Sequence, residues 1–252
     1  MPLSNKENIA GLESGKTDAQ QTLVLSENEY MPNVSVSCVI LSFDEGCIKI
    51  LLCKLKEDCS WTIPNSLVKK AENLNDSAKR IVKEKAGVAD GYIRQFHFFD
   101  SNSNEPCSAE HYIRLAYYSL IKYEDAELRS FDFEELEWFD INDTPHMYPE
   151  YEETFRTAIA TIRTLVGFIP IGFELLSPKF TMPELRSIYE SILNRELDRR
   201  NFQRKMLSIG FIKPLNETRK VGAHKSPNLY SFIEDRYREA EESGSQIMSN
   251  NL

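Results

Sequence analysis

The chain has 252 residues, 41% of them hydrophobic, and a net charge of −9. That length can bury the core of one large domain or of two ordinary ones. It holds no apolar run near the roughly 18–20 residues of a membrane span and no apolar signal segment at its start, so a cytoplasmic protein without membrane attachment is expected.

Residues 1–33 are polar, without apolar period, and read as a disordered tail. Val34–Phe43 and Cys47–Cys53 are β-rich runs joined by Asp-Glu-Gly, a hairpin signal. Trp61–Ile63 reads as a short strand stopping at Pro64. Asn75–Ala86 has helical spacing, with Ala78, Ile81 and Val82 on one face, Asp76 in the first turn and Gly87 as the stop. Tyr92–Phe99, His111–Ile121 and Leu136–Phe139 read as strands, with loop at Glu105–Ala109. This order indicates one mixed α/β domain, assigned to residues 34–145.

A connector follows over residues 146–170, where Pro149–Val166 is helical with a Phe155, Ile159, Ile162, Val166 stripe. Two further helices are expected. Thr181–Leu193 opens on a Thr-x-x-Glu capping box, and Asp198–Ile209 opens on Asp198 and stops at Gly210. Only Asn194 to Leu197 separate them, a helix-turn-helix spacing. Phe211–Leu215 and Leu229–Phe232 then flank a basic loop, Asn216–Asn228, so residues 171–232 read as a winged helix. Residues 233–252 read as a polar, fraying tail. The five cysteines, Cys38, Cys47, Cys53, Cys59 and Cys107, are odd in number and lack C-x-x-C spacing, which points to free thiols, not disulfides or zinc. No metal and no cofactor is expected.

The acidic total hides a basic segment. Between Asp198 and Lys225 eight basic residues face only Asp198 and Glu217. The second helix carries Arg199, Arg200, Asn201, Gln203, Arg204 and Lys205 in its first two turns, while Leu197, Phe202, Met206 and Ile209 fall on its core face. Arg and Lys neutralise phosphates, Arg reads guanine, and Asn or Gln reads adenine. At the N-terminal end of a recognition helix these groups reach base edges. Arg219, Lys220, His224 and Lys225 of the wing would lie along the DNA backbone or in the minor groove.

The run Trp61–Val88 resembles the Nudix box, G-x5-E-x7-R-E-U-x-E-E-x-G-U with U aliphatic. Glu72, Arg80, Glu84, Gly87 and Val88 match it. Pro64-Asn65-Ser66 stands where the family has Pro-Gly-Gly, and Ile81 and Lys85 replace two of the three helix carboxylates. Nudix hydrolysis uses those carboxylates to hold magnesium on a diphosphate. Ile81 cannot ligate, and Lys85 puts a positive charge where the cation should sit. The expectation is therefore an inactive box, with Glu72, Arg80 and Glu84 kept as an ion-pair group holding the helix to its loop.

The resemblance continues through Pro170–Leu176, Phe180-Thr181, Leu185, Tyr189-Glu190 and the run Asp198-Arg-Arg-Asn-Phe-Gln-Arg-Lys205. Together these are similar to the Nudix-related transcriptional regulators of the NrtR-like and arabinose-responsive group. The resemblance implies an α+β chain: a Nudix-like α/β/α domain with a mixed sheet, then a C-terminal winged helix-turn-helix. It also implies a homodimeric repressor on a palindromic operator of double-stranded DNA, with no catalytic residues. Its degenerate cleft would sense a small-molecule effector, a sugar or a nucleotide-sugar such as ADP-ribose. Lys54, Trp61, Asn65, Glu72, Arg80, Glu84, Phe99 and Tyr117 are the candidate effector contacts. The loop Ser101–Glu110 lacks the Arg-Asp-Pro pattern expected of the group. Two alternatives stay open: a Nudix hydrolase acting on a nucleoside diphosphate derivative, and a regulator whose Nudix domain is only a dimerisation scaffold.

Overall fold

Asp44-Glu45-Gly46-Cys47 reverses the chain in the tightest way a hairpin allows. Glu45 and Gly46 both have positive φ, 51° and 87°, the primed turn whose twist matches two antiparallel strands. In the computed structural model, which describes residues 29–89, 91–102, 111–167, 170–220 and 226–242, this turn joins β1 (Tyr30–Asp44) to β2 (Cys47–Leu55). Four more strands complete the sheet: β3 (Asn65–Lys69), β4 (Tyr92–Asn102), β5 (His111–Leu120) and β6 (Glu134–Asp140). Their order is β4-β5-β1-β2-β6, with β3 also paired to β1. The β1–β5 pair is parallel and the others are antiparallel, so the sheet is mixed.

Alternation along these strands builds two cores. Val36, Cys38, Ile40, Leu51 and Tyr117 face helix α1 (Leu74–Ala86), whose Ala78, Ile81 and Val82 are buried against them. Val39, Leu41, Ile50, Leu52, Tyr118 and Leu120 face helix α2 (Pro149–Leu165) through Phe155, Ile159 and Ile162. Each such side chain, fully buried, stabilises the fold by about 1.5–3 kcal/mol. Asn73 caps α1 by accepting a hydrogen bond from the Asp76 amide at 2.9 Å. Gly87 ends it at φ 75°, and a Cβ there would meet Glu127 at 3.0 Å, so glycine is required twice over.

The second core runs on into the C-terminal unit without a break. It includes Leu185, Ile188 and Tyr189 of α3 (Met182–Leu193), Phe202 and Met206 of α4 (Arg199–Ser208), and Tyr230 of β9 (Asn228–Phe232). β9 lies between β7 (Phe180–Thr181) and β8 (Ile212–Thr218). Polar bolts fasten this unit to the sheet and to α2. The Ile48 amide donates to Ser191 Oγ at 2.8 Å, Ser187 Oγ to the Gly46 carbonyl at 3.3 Å, and Arg163 Nε to the Ile192 carbonyl at 2.8 Å.

Four stretches differ from expectation. β1 begins at Tyr30, not Val34, because Asn33 at φ 61° forms a register shift that lets Tyr30 pair with Lys69. The strand expected at Trp61–Ile63 lies beyond Pro64: the proline offers its carbonyl to the Cys38 amide at 2.8 Å and pairing continues over Asn65–Lys69. Trp61 instead bridges to Met147. β8 runs to Thr218, into the expected wing loop. Residues Glu234–Glu242, expected to fray, form helix α5 because Tyr237 packs edge-on against Phe211 at 5.9 Å. The Ser101–Glu110 loop, apart from the backbone of its first two residues, lies outside the described residues, as does Cys107.

Candidate nucleic-acid interface and effector cleft

The turn between α3 and α4 is set by Asn194, which ends α3 in the left-handed region at φ 50°. The Leu197 amide then donates to Glu190 Oε1 at 2.9 Å, and Asp198 caps α4 by accepting from the Asn201 amide at 2.8 Å. Phe202 and Met206 anchor the inner face, Phe202 meeting Tyr189 edge-on at 5.3 Å. This leaves Arg199, Arg200, Asn201 and Arg204 exposed. Arg204 donates to Asn201 Oδ1 at 3.0 Å, which couples the two side chains on the outer face. Gln203 and Lys205 are half-buried. Gln203 bonds the Tyr230 hydroxyl at 3.4 Å, and burial holds the Lys205 amine below its ordinary value.

The wing residues divide. Lys220 is exposed. Arg219 is turned inward: it pairs with Glu184 at 2.6 Å and donates to the Lys179 carbonyl at 2.6 Å. It therefore fastens the base of the wing to the start of α3. His224 and Lys225 lie outside the described residues.

In the Nudix box, Arg80 is a hub. Its Nε donates to both Glu72 oxygens at 2.9 and 3.0 Å, Nη1 to Ser66 Oγ at 3.2 Å and Glu84 at 3.4 Å, and Nη2 to the Leu67 carbonyl at 3.1 Å. The group ties α1 to β3 and the loop between them. Burial pushes the Glu72 carboxyl up, but hydrogen bonds from Arg80 and Ser77 outweigh it and hold the group below its ordinary value. Ile81 is buried in the core under α1. Lys85 bonds both oxygens of Glu134 on β6 at 2.6 Å, with both side chains largely buried. The box's implied magnesium does not fit this donor set. One exposed carboxylate, Glu84, remains beside an arginine and near an ammonium already paired. No group of three or more His, Cys, Asp or Glu suited to a metal occurs among the described residues.

The eight residues expected in one cleft do not share one surface. Arg80 and Glu84 lie along α1, and Glu72 lies in the turn that leads into it. Tyr117 is buried beneath that helix, 1% exposed, because its strand partner Cys38 faces the same core. Lys54, Trp61, Asn65 and Phe99 lie on the opposite, α2 side of the sheet. Lys54 sits over the Trp61 ring at 4.9 Å and pairs with Glu135 at 3.1 Å. Trp61 is itself 8% exposed and packs edge-on against Phe139 at 4.8 Å. Asn65 spends its amide on the Ile63 carbonyl at 2.8 Å.

Sequence reasoning missed the centre of the α2 side. Arg114 lies between the rings of Phe99 and Tyr151, at 5.1 and 5.2 Å, and its Nη2 donates to the Glu150 carbonyl at 2.9 Å. Among the described residues its Nε is buried without a hydrogen-bond partner, as is Ser37 Oγ on the same sheet face. A lone charge, Arg114, inside the largely apolar run Tyr112–Leu120 was the available signal.

A model of the NUDIX domain matches residues 31–159, and one of the NrtR DNA-binding winged helix domain matches residues 172–232. The chain is 24% identical over 213 residues to an "ADPR responsive transcriptional repressor NtrR" of Acinetobacter baylyi, covering 82% of this chain and 84% of the relative. Its fold matches that of Shewanella oneidensis NrtR complexed with a 27mer DNA, at 19% identity and a TM-score of 0.70 over 81% of this chain and 95% of that one. A MutT/nudix family protein of Enterococcus faecalis, 20% identical, matches with a TM-score of 0.65 over 80% of this chain and 88% of that one. The paired α1 box, the exposed basic face of α4 and these matches agree: the chain belongs to the Nudix family, in its NrtR-type branch of transcriptional regulators with a C-terminal winged helix.

Proposed function

We propose that this protein is a DNA-binding transcriptional repressor whose Nudix domain senses a small molecule instead of hydrolysing one. The observation that carries the reading is the outward row Arg199, Arg200, Asn201 and Arg204 at the start of a helix held at its turn by Asn194 and Asp198. Arg200 and Arg204 stand one turn apart and address base edges, while Lys220 addresses phosphate. Lys205 and Gln203 support the helix position. The active species is a homodimer on a palindromic operator.

The effector is ADP-ribose or a compound of its class, as the Acinetobacter relative's description as ADPR responsive suggests. It enters on the α2 side of the sheet, where Lys54, Trp61, Phe99, Arg114 and Tyr151 supply rings and cations. Because Ile81 and Lys85 stand in place of carboxylates, ADP-ribose is bound and not cleaved.

A mobility-shift assay on the protein's own upstream DNA tests the first half. Sequence-preferring binding is expected, with Arg200→Ala and Arg204→Ala each costing about 1–3 kcal/mol. Equal affinity for unrelated DNA, or no loss in either variant, refutes it. Thermal unfolding with ADP-ribose tests the second half. A ligand at 100 times its Kd adds about 2.7 kcal/mol. Turnover of ADP-ribose with magnesium, abolished by Glu84→Gln, would instead establish a hydrolase.

A further inference from the structure

The two units meet on two sides, and only one is closed. At the α3 side the hairpin tip is bolted by Ser187 and Ser191, and Arg163 ties α2 to the end of α3. On the other side a groove of about 520 Å³ separates the β4 edge from the wing and α5. This is within the size range of small-molecule sites, which favour domain junctions. Its rings include Tyr92, Phe232 and Tyr237, with Phe232 stacked on Phe173 at 4.2 Å and 19°.

Charge in the groove is unevenly spent. Arg238 is paired with Glu234 within α5. Arg94 packs over Tyr92 at 4.5 Å and donates to the neighbouring Ile93 carbonyl; among the described residues neither it nor Lys122 forms an ion pair. Glu174 makes no hydrogen bond or ion pair among the described residues either. Burial, then the charge of Glu234, hold its carboxyl above the ordinary value despite Arg94 and Lys122. Ser231 also lines the groove, and its Oγ is buried without a partner among the described residues.

We propose that this groove is a second ligand site, distinct from the Nudix cleft, for a small anion carrying a planar ring, of the size of a nucleoside monophosphate. Arg94 and Lys122 take the anionic group. Tyr92, Phe232 and Tyr237 take the ring, and Ser231 gains the hydrogen bond it lacks. The occupant touches the Nudix sheet, β9 of the wing and α5 at once. It therefore stabilises one setting of the wing against the body, and whatever factor it changes DNA affinity by, DNA changes its affinity by the same factor.

Calorimetry on the full chain with phenyl phosphate and adenosine 5′-monophosphate tests this, with inorganic phosphate and adenosine as half-ligands. This readout does not depend on DNA binding, so it can fail while the repressor reading stands. Both probes are expected to bind more tightly than either half-ligand. The Arg94→Ala/Lys122→Ala double variant should weaken them about tenfold or more, the loss of charge-assisted hydrogen bonds. Lys122→Glu alone should weaken them in the same direction. If neither probe binds at millimolar concentration, or the double variant binds as well as the parent, the site does not exist. If Arg114→Ala abolishes binding while the groove variants retain it, the probe occupies the Nudix cleft and the proposal fails.

Discussion

Helices α1 and α4 are both crowded with charge, yet they use it in opposite ways. On α1, Arg80 and Lys85 are turned onto Glu72 and Glu134, and Glu84 is left as the one exposed carboxylate of the box. On α4, Arg199, Arg200 and Arg204 face solvent, and the bond that Arg204 makes is to the neutral Asn201. The residue types alone do not separate an interface from a brace. What separates them is whether an opposite charge is in place on a neighbouring element.

The sharpest way to break this contrast is to remove one internal pair. Lys85→Met should leave Glu134 buried and uncompensated, destabilising the fold by about 3–5 kcal/mol in denaturant unfolding. Adding Glu134→Met should recover much of that loss, since an apolar pair of similar shape can replace a buried ion pair. By contrast Arg200→Ala and Arg204→Ala, which weaken DNA binding, should leave unfolding free energy within about 0.5 kcal/mol of the parent. If Lys85→Met is as stable as the parent, the brace reading of α1 is wrong.

A smaller effect comes from Glu72. Its pKa is depressed in the fold, so the Glu72–Arg80 clamp contributes its stability above the ordinary value of 4.5 and loses it as pH falls through the folded value. Titrating stability from neutral pH into acid should show the parent falling more steeply below about pH 4.5 than Glu72→Gln, by about 1 kcal/mol. Parallel curves would show that the pair is not differentially charged on folding.

How much of this was readable in the sequence depends on where the partners lie. The capping box at Thr181, the cap at Asp198 and the inward spacing of Phe202 and Met206 are all local, so α3 and α4 could be read directly. Replacement of the box carboxylates by Ile81 and Lys85 was equally visible. Glu134, which neutralises Lys85, was not, because it comes from a strand 49 residues later. Tyr117 and Tyr118 are adjacent and both buried, but strand alternation sends them to opposite cores. Only the register with β1 shows that Tyr117 lies under α1. Arg114 escaped notice for a related reason: Phe99, Tyr151 and Glu150 converge on it from a strand and a helix that the sequence does not place together.

The wing carries the comparison within one dipeptide. Arg219 is spent on Glu184 and the Lys179 carbonyl, while Lys220 beside it is exposed. A lysine that meets one phosphate releases about one counterion, so Lys220→Ala should reduce the slope of log affinity against log salt by about 0.9. Affinity should fall evenly on operator and unrelated DNA, because a phosphate contact carries no sequence information. Arg219→Ala should behave differently. It unfastens the wing from α3, so the melting temperature should drop along with affinity, and Arg219→Lys, which keeps the charge but loses the two-pronged contact, should not restore either. If Lys220→Ala leaves the salt slope unchanged while Arg219→Ala lowers it without lowering the melting temperature, the two roles are reversed and the wing meets DNA through the arginine.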